Sequence, residues 1–155
     1  MSDTAQTFLV VVDETDECAK AVRYAALRAE HTGARLMLLH VLKPSQFLQW
    51  GGVQQDMDNE AEQAGQAVLA ATAAEVEELT GTRPAVRLMR GRPTDAVLDV
   101  VTTDRSIRAL VLAAAAKGKP GPLVDFFTRE RAGTLPCMVM IVPGGIEDAD
   151  IDRLT

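Results

Sequence analysis

The chain has 155 residues, 47% of them hydrophobic, which is ample for one core and too little for two ordinary domains. The formal net charge is −6 and no Lys/Arg cluster forms a stripe, which argues against a nucleic-acid partner. No apolar run approaches the roughly 20 residues that a membrane span needs, so a membrane partner is not expected either.

Phe8–Asp13 is a short apolar run that stops at a charge and reads as a buried parallel strand. Thr15 or Asp16 then offers a helix N-cap. Cys18, Val22, Ala25, Ala26 and Ala29 follow at helical spacing, and Gly33 supplies the stop. Arg35–Leu42 is a second buried strand closed by Lys43-Pro44. Ser45–Asp56 reads as a loop carrying Phe47, Leu48 and Trp50, apolar groups expected to fold down over the sheet edge or a cleft. A long amphipathic helix is predicted from about Met57 to Thr80, with Ala61, Ala64, Val68, Leu69, Thr72, Val76 and Leu79 as its apolar face.

Ala85–Arg90 alternates more than the other strands, as an edge strand does. Thr94 is placed to cap a helix carrying Val97, Leu98, Val100 and Val101. Ile107–Ala116 is the most apolar strand and ends in a Lys-Gly-Lys-Pro-Gly-Pro loop. Val124–Ala132 is predicted as the last helix, with Gly133 as its cap, and Cys137–Val142 as the last strand. Glu147–Asp152 reads as a solvated acidic tail. Strands alternating with helices imply parallel pairing, right-handed crossovers and helices on both faces. Ligands on such sheets bind past the carboxyl ends of the strands, which directs attention to the loops after strands one, two and four.

Several of these segments together are similar to the universal stress protein (UspA-like) family. They are the first strand ending in Asp13, the Glu-Cys-Ala-Lys-Ala-Val-Arg-Tyr-Ala-Ala helix, the Leu-Leu-His-Val strand, Gly91-Arg-Pro-Thr-Asp-Ala-Val-Leu, and Pro136-Cys-Met-Val-Met-Ile-Val. The resemblance spans about Phe8 to Pro143. It implies a three-layer α/β/α sandwich of the adenine nucleotide alpha hydrolase-like kind, with a five-stranded parallel sheet in the order 3-2-1-4-5. The expected organisation is a single domain over 1–155, with its core in 8–143 and an acidic tail from 144. The resemblance also implies a homodimer, often through the last strand, and a stress-response role.

Many members of that family bind ATP through the fourth-strand loop, by G-x-x-G, nine residues, then G with Ser or Thr. Backbone N–H groups must approach phosphate oxygens there, which glycine permits without a Cβ clash. This chain departs from the pattern in every register. One count puts Ala113 and Ala116 on the first glycines and Phe126-Phe127 on the last pair. A second uses Ala115, Gly118 and Thr128-Arg129. A third uses Gly118, Gly121 and Gly133-Thr134 with eleven intervening residues. The expectation is a regulatory module that acts by binding, with no cofactor firmly held; ATP or AMP are the candidate ligands. A nucleotide-responsive switch and a slow ATP hydrolase are the alternatives.

By the resemblance, Asp13 would hydrogen-bond adenine or ribose and Val41 would offer backbone groups to the base; equally, Asp13 caps the loop into the first helix. Lys117, Gly118 and Gly121 are the anion candidates in the fourth-strand loop. His40 reads as a satisfied core histidine and His31 as exposed. Cys18 and Cys137, in neither a C-x-x-C nor a metal-ligand spacing, read as small buried hydrophobes. No serine lies in G-x-S-x-G and no carboxylates form a marked acid–base pair, so an enzyme is not expected. The N-terminus lacks the basic and apolar regions of a signal peptide, and with free thiols this points to the cytoplasm.

Overall fold

The computed structural model describes residues 5–44 and 52–155, with side chains in the second stretch described from Asp56 onward. The predicted Phe47–Trp50 cover lies outside the described residues. Five strands, β1 (Thr7–Val11), β2 (Arg35–Leu42), β3 (Ala85–Arg90), β4 (Ile107–Ala114) and β5 (Met138–Pro143), form one sheet in the order β3-β2-β1-β4-β5. Every neighbouring pair is parallel. This is the expected α/β sandwich, and β3 is the expected edge.

Helices cover both faces because the central strands are apolar on both faces. Side chains alternate across the sheet. Val10, Leu38 and Val111 face α1 (Cys18–Thr32) and α2 (Gly52–Thr80), and Leu9, Leu39 and Leu110 face α3 (Pro93–Thr103) and α4 (Pro122–Asp125). Each buried leucine contributes about 1.5–3 kcal/mol. Helix α1 approaches the sheet closely because Ala21, Ala25 and Ala29 recur every four residues on one side. Gly33 ends it at φ 73°, where the Gly33 N–H bonds Glu30 O and the Ala34 N–H bonds Ala29 O.

Several local expectations are corrected. Helix α1 starts at Cys18 after Glu17, and neither Thr15 nor Asp16 caps it through its side chain. Helix α3 starts after Arg92 rather than at Thr94, because Pro93 supplies a pre-set φ at the first helical position. Helix α2 begins at Gly52, and its buried line is Gly65, Leu69, Ala73 and Val76, while Ala61 and Ala64 are exposed. A Cβ on Gly65 would lie 3.0–3.1 Å from Leu42, His40 and Leu88 side-chain carbons, so glycine sets the close helix–sheet approach there. Strand β4 stops at Ala114. The last predicted helix is α4 followed by a π-helical turn over Phe126–Glu130, which seats Phe127 in the core. Helical structure thus ends before Gly133, which is not its cap.

The acidic C-terminus is not a free tail. Asp148–Leu154 forms α5, packed on the outer side of α1 with Ile151 at 0% exposure. Three basic residues on α1 receive it. The Lys20 Nζ donates to Asp148 at 2.9 Å, Arg23 grips Asp152 through two hydrogen bonds of 2.8 and 2.9 Å, and Arg28 donates to the Thr155 carbonyl at 3.1 Å. The Arg23 guanidinium holds the Asp152 carboxyl below the usual range. Charge content hid this helix, because only Ile146 and Ile151 signal a buried side.

Ile151→Ala should lower stability by about 2–5 kcal/mol in urea denaturation. Leu154→Ala, at a position 63% exposed, should change it by less than about 0.5 kcal/mol.

Candidate functional site

The strand order reverses between β1 and β4, since β1 leads through α1 to one side of the sheet and β4 through α4 to the other. Connections that leave in opposite directions open a crevice at the carboxyl ends of the strands. A cleft of about 270 Å³ occupies that place. Its floor is the ends of three strands, with Val11 from β1 and Val12 just after it, His40 and Val41 from β2, and Leu112 and Ala113 from β4. The β1–α1 loop supplies Asp13, Thr15 and Glu17, and Lys43 stands after β2. Pro93 and the segment Pro120–Val124 close the remaining sides. A wider groove of about 640 Å³ runs between α1 and α2 and shares Asp13, Thr15 and Cys18, but no strand residue contributes to its wall.

Of the residues singled out from the sequence, Asp13, Val41 and Gly121 come together in this cleft. Lys117 and Gly118 do not line it; Lys117 is exposed, and Gly118 sits in the turn at φ 76°. Asp13 organises its own loop, with its Oδ1 accepting the Thr15 N–H at 2.9 Å and the Thr15 hydroxyl. That Asx-type turn is why Asp13 ends the strand and starts the helix approach. Gly121 takes φ 126° at the start of α4, a backbone open to glycine.

Four backbone donors at or beside the cleft are engaged within the protein. The Val12 N–H bonds Leu39 O at 2.7 Å, and the Asp13 N–H bonds the Cys18 sulfur at 3.4 Å. The Ala115 N–H bonds Pro120 O at 3.1 Å, and the Asp125 N–H bonds Gly121 O at 3.0 Å. Pro120 and Pro122 have no N–H to give.

His40 Nδ1 lies 2.6 Å from Val12 O, so Nδ1 carries the proton and donates to the carbonyl just beyond β1. The thiol of Cys18 is buried, accepts from Asp13 and points at Val11 O. Burial pushes it up to about 11, with the Asp13 amide opposing. Burial also raises the Cys137 thiol. Sequence reasoning missed Glu17, Lys43, Pro93 and Pro120 as cleft residues. Their shared signal is position, since each directly follows or faces a strand's carboxyl end.

The universal stress protein family model matches residues 4–143, across every strand and both halves of the cleft. The chain belongs to the universal stress protein family. Among solved structures, this universal stress protein is similar to UspA from Lactobacillus plantarum at 18% identity, covering 88% of this chain and 97% of that one with a TM-score of 0.73. It is similar to the universal stress protein from Archaeoglobus fulgidus in complex with dAMP at 16% identity, covering 90% and 98%, TM-score 0.58. It is also similar to a family protein from Arabidopsis thaliana with AMP bound at 16% identity, covering 89% and 91%, TM-score 0.61. At these identities the likeness is one of fold. A comparison with curated protein sequences found no match. The family match stops at Pro143, so α5 lies beyond the matched region.

The Cys18 thiol makes a pH-dependent contribution. Unfolded, it ionises near 9.0; folded, at about 11. The neutral form is the one the fold favours, so this contribution is complete below pH 9 and is lost as pH rises from 9 to about 11. Urea denaturation across that range should show wild-type stability falling by up to about 2 kcal/mol more than that of Cys18→Ser. Native protein at pH 7.5 should resist iodoacetamide at Cys18 until denatured.

Proposed function

We propose that this universal stress protein is a regulatory module that acts by binding rather than turnover. Its cleft takes the base and ribose of an adenine nucleotide, ATP or AMP, with weak or absent affinity for the intact triphosphate. The observation that carries this reading is the β4 loop at the switch point. Apolar strand ends and prolines form a slot suited to a planar base, while the Ala115 amide after β4 bonds Pro120 O, and Pro120 and Pro122 have no N–H to offer a phosphate. The bound dAMP and AMP of the A. fulgidus and A. thaliana relatives support the ligand class.

In this reading Asp13 hydrogen-bonds the ribose or base, Val41 offers its backbone to the base, and Gly121 allows close approach. Lys117 and Gly118 act only at the outer rim. Burial holds the Cys18 thiol on the cleft wall in its protonated form, so it is a poor nucleophile. Two unpaired cysteines suit a cytoplasmic setting. Among the described residues no helix is long and apolar enough to cross a membrane.

The homodimer reading is supported at β5. It is an edge strand, and Met138 and Ile141 are 69% and 39% exposed on it. An edge with apolar side chains invites pairing with a second copy.

Calorimetric titration should detect AMP-class binding in the wild type, and Asp13→Ala should weaken it about tenfold or more, the loss of a charged hydrogen bond. Micromolar or tighter ATP binding would overturn the weak-triphosphate reading. Met138→Asp with Ile141→Asp should convert a dimer to monomer in sedimentation velocity, with unchanged circular dichroism.

A further inference from the structure

On the proposed reading of the cleft, the charge that lines it governs which form of the ligand enters. The β1–α1 loop places four carboxylates in five residues, Asp13, Glu14, Asp16 and Glu17. Two of them, Asp13 and Glu17, line the cleft, and among the described residues Lys43 is the one cation that does. A helix N-terminus attracts anions through its dipole. Here that end of α1 is already dressed with carboxylates.

Glu17 holds a particular place. It is only half-exposed, and it stands where the β1–α1 loop meets the end of β5. Its Cβ lies 2.7 Å from where a Cβ on Gly144 would be, and the Gly144 N–H bonds Ala114 O at 2.7 Å. The Ala116 N–H nitrogen is 3.3 Å from the same point. A carboxylate-bearing residue therefore packs against the strand-end backbone of β4 and β5. A group partly removed from water acts on a neighbouring charge more strongly than one on an open surface.

We propose that the cleft takes the uncharged nucleoside in preference to its phosphorylated forms, with Glu17 as the residue that sets this preference against anions. The base and ribose meet the apolar slot and the hydrogen-bonding rim. A phosphate attached to the ribose meets Glu17, with Lys43 the one cation on the cleft wall, among the described residues, to offset it. Each added phosphate increases the repulsion.

The test is calorimetric titration with adenosine, AMP and ATP without magnesium, at about 20 and 150 mM salt. Adenosine should bind at least about tenfold more tightly than AMP, and ATP more weakly still. The gap should widen at low salt, where charges are less screened. In Glu17→Gln the adenosine-to-AMP affinity ratio should fall about tenfold, and in Glu17→Lys it should fall further or reverse. Thermal melts of each variant establish that it is folded, and the Glu14→Gln, Asp16→Asn variant, which leaves the cleft wall untouched, should keep the adenosine-to-AMP ratio within about twofold of wild type. AMP or ATP binding more tightly than adenosine, or a ratio unmoved by both Glu17 substitutions, would overturn the preference while leaving the cleft as a nucleotide site. Binding of none of the three would overturn the site itself, and the preference with it.

Discussion

Strand β1 is hydrogen-bonded on both sides, to β2 along Thr7–Val11 and to β4 along Thr7–Val10. Helices pack on both of its faces, which is why Leu9 and Val10 are fully buried on opposite sides. This double pairing also dictates where the chain must diverge. The crossovers from β1 and β4 leave on opposite faces, and the space between their ends cannot be filled by either connection. The cleft is a consequence of the pairing. Its depth follows from β1 ending at Val11, short of the β2 strand beside it, which continues to Leu42.

What fills the mouth of that space is specific to this chain. A phosphate site at a switch point needs bare amides aimed outward and a net positive or neutral surround. Here the β4 loop turns its Ala115 amide inward to Pro120, interposes two prolines, and faces a carboxylate-rich loop. Apolar strand ends remain for a planar group. Electrostatics and backbone geometry thus both support the proposed reading, in which base and ribose define the site.

The C-terminal helix ties into the same region from outside. The turn after β5 passes Gly144 between Ala114 and Glu17, with room for no Cβ, and then sends α5 across α1. Lys20 and Arg23 anchor α5 on the helix whose preceding loop carries Asp13 and Glu17. Exposed ion pairs contribute little alone. The burial of Ile151 supplies the attachment, and the ion pairs set its orientation.

Much of the architecture was legible in the residues. Apolar runs bounded by Gly, Pro or charge located all five strands, and Gly33 and Gly81 marked helix ends because each takes a positive φ that other residues resist. The alternating edge character of β3 was equally plain. Helix starts were less legible. Thr15 and Thr94 have the right chemistry for caps, but Asp13 and Pro93 act first by fixing the backbone before them. The π-helical turn, the docked α5 and the role of Glu17 depend on partners distant in sequence: the core around Phe127, the basic face of α1, and Gly144 beside Ala114. Local pattern reports what each segment prefers by itself. Which carboxylate lies in water and which stands over a cleft is settled by packing between segments more than a hundred residues apart.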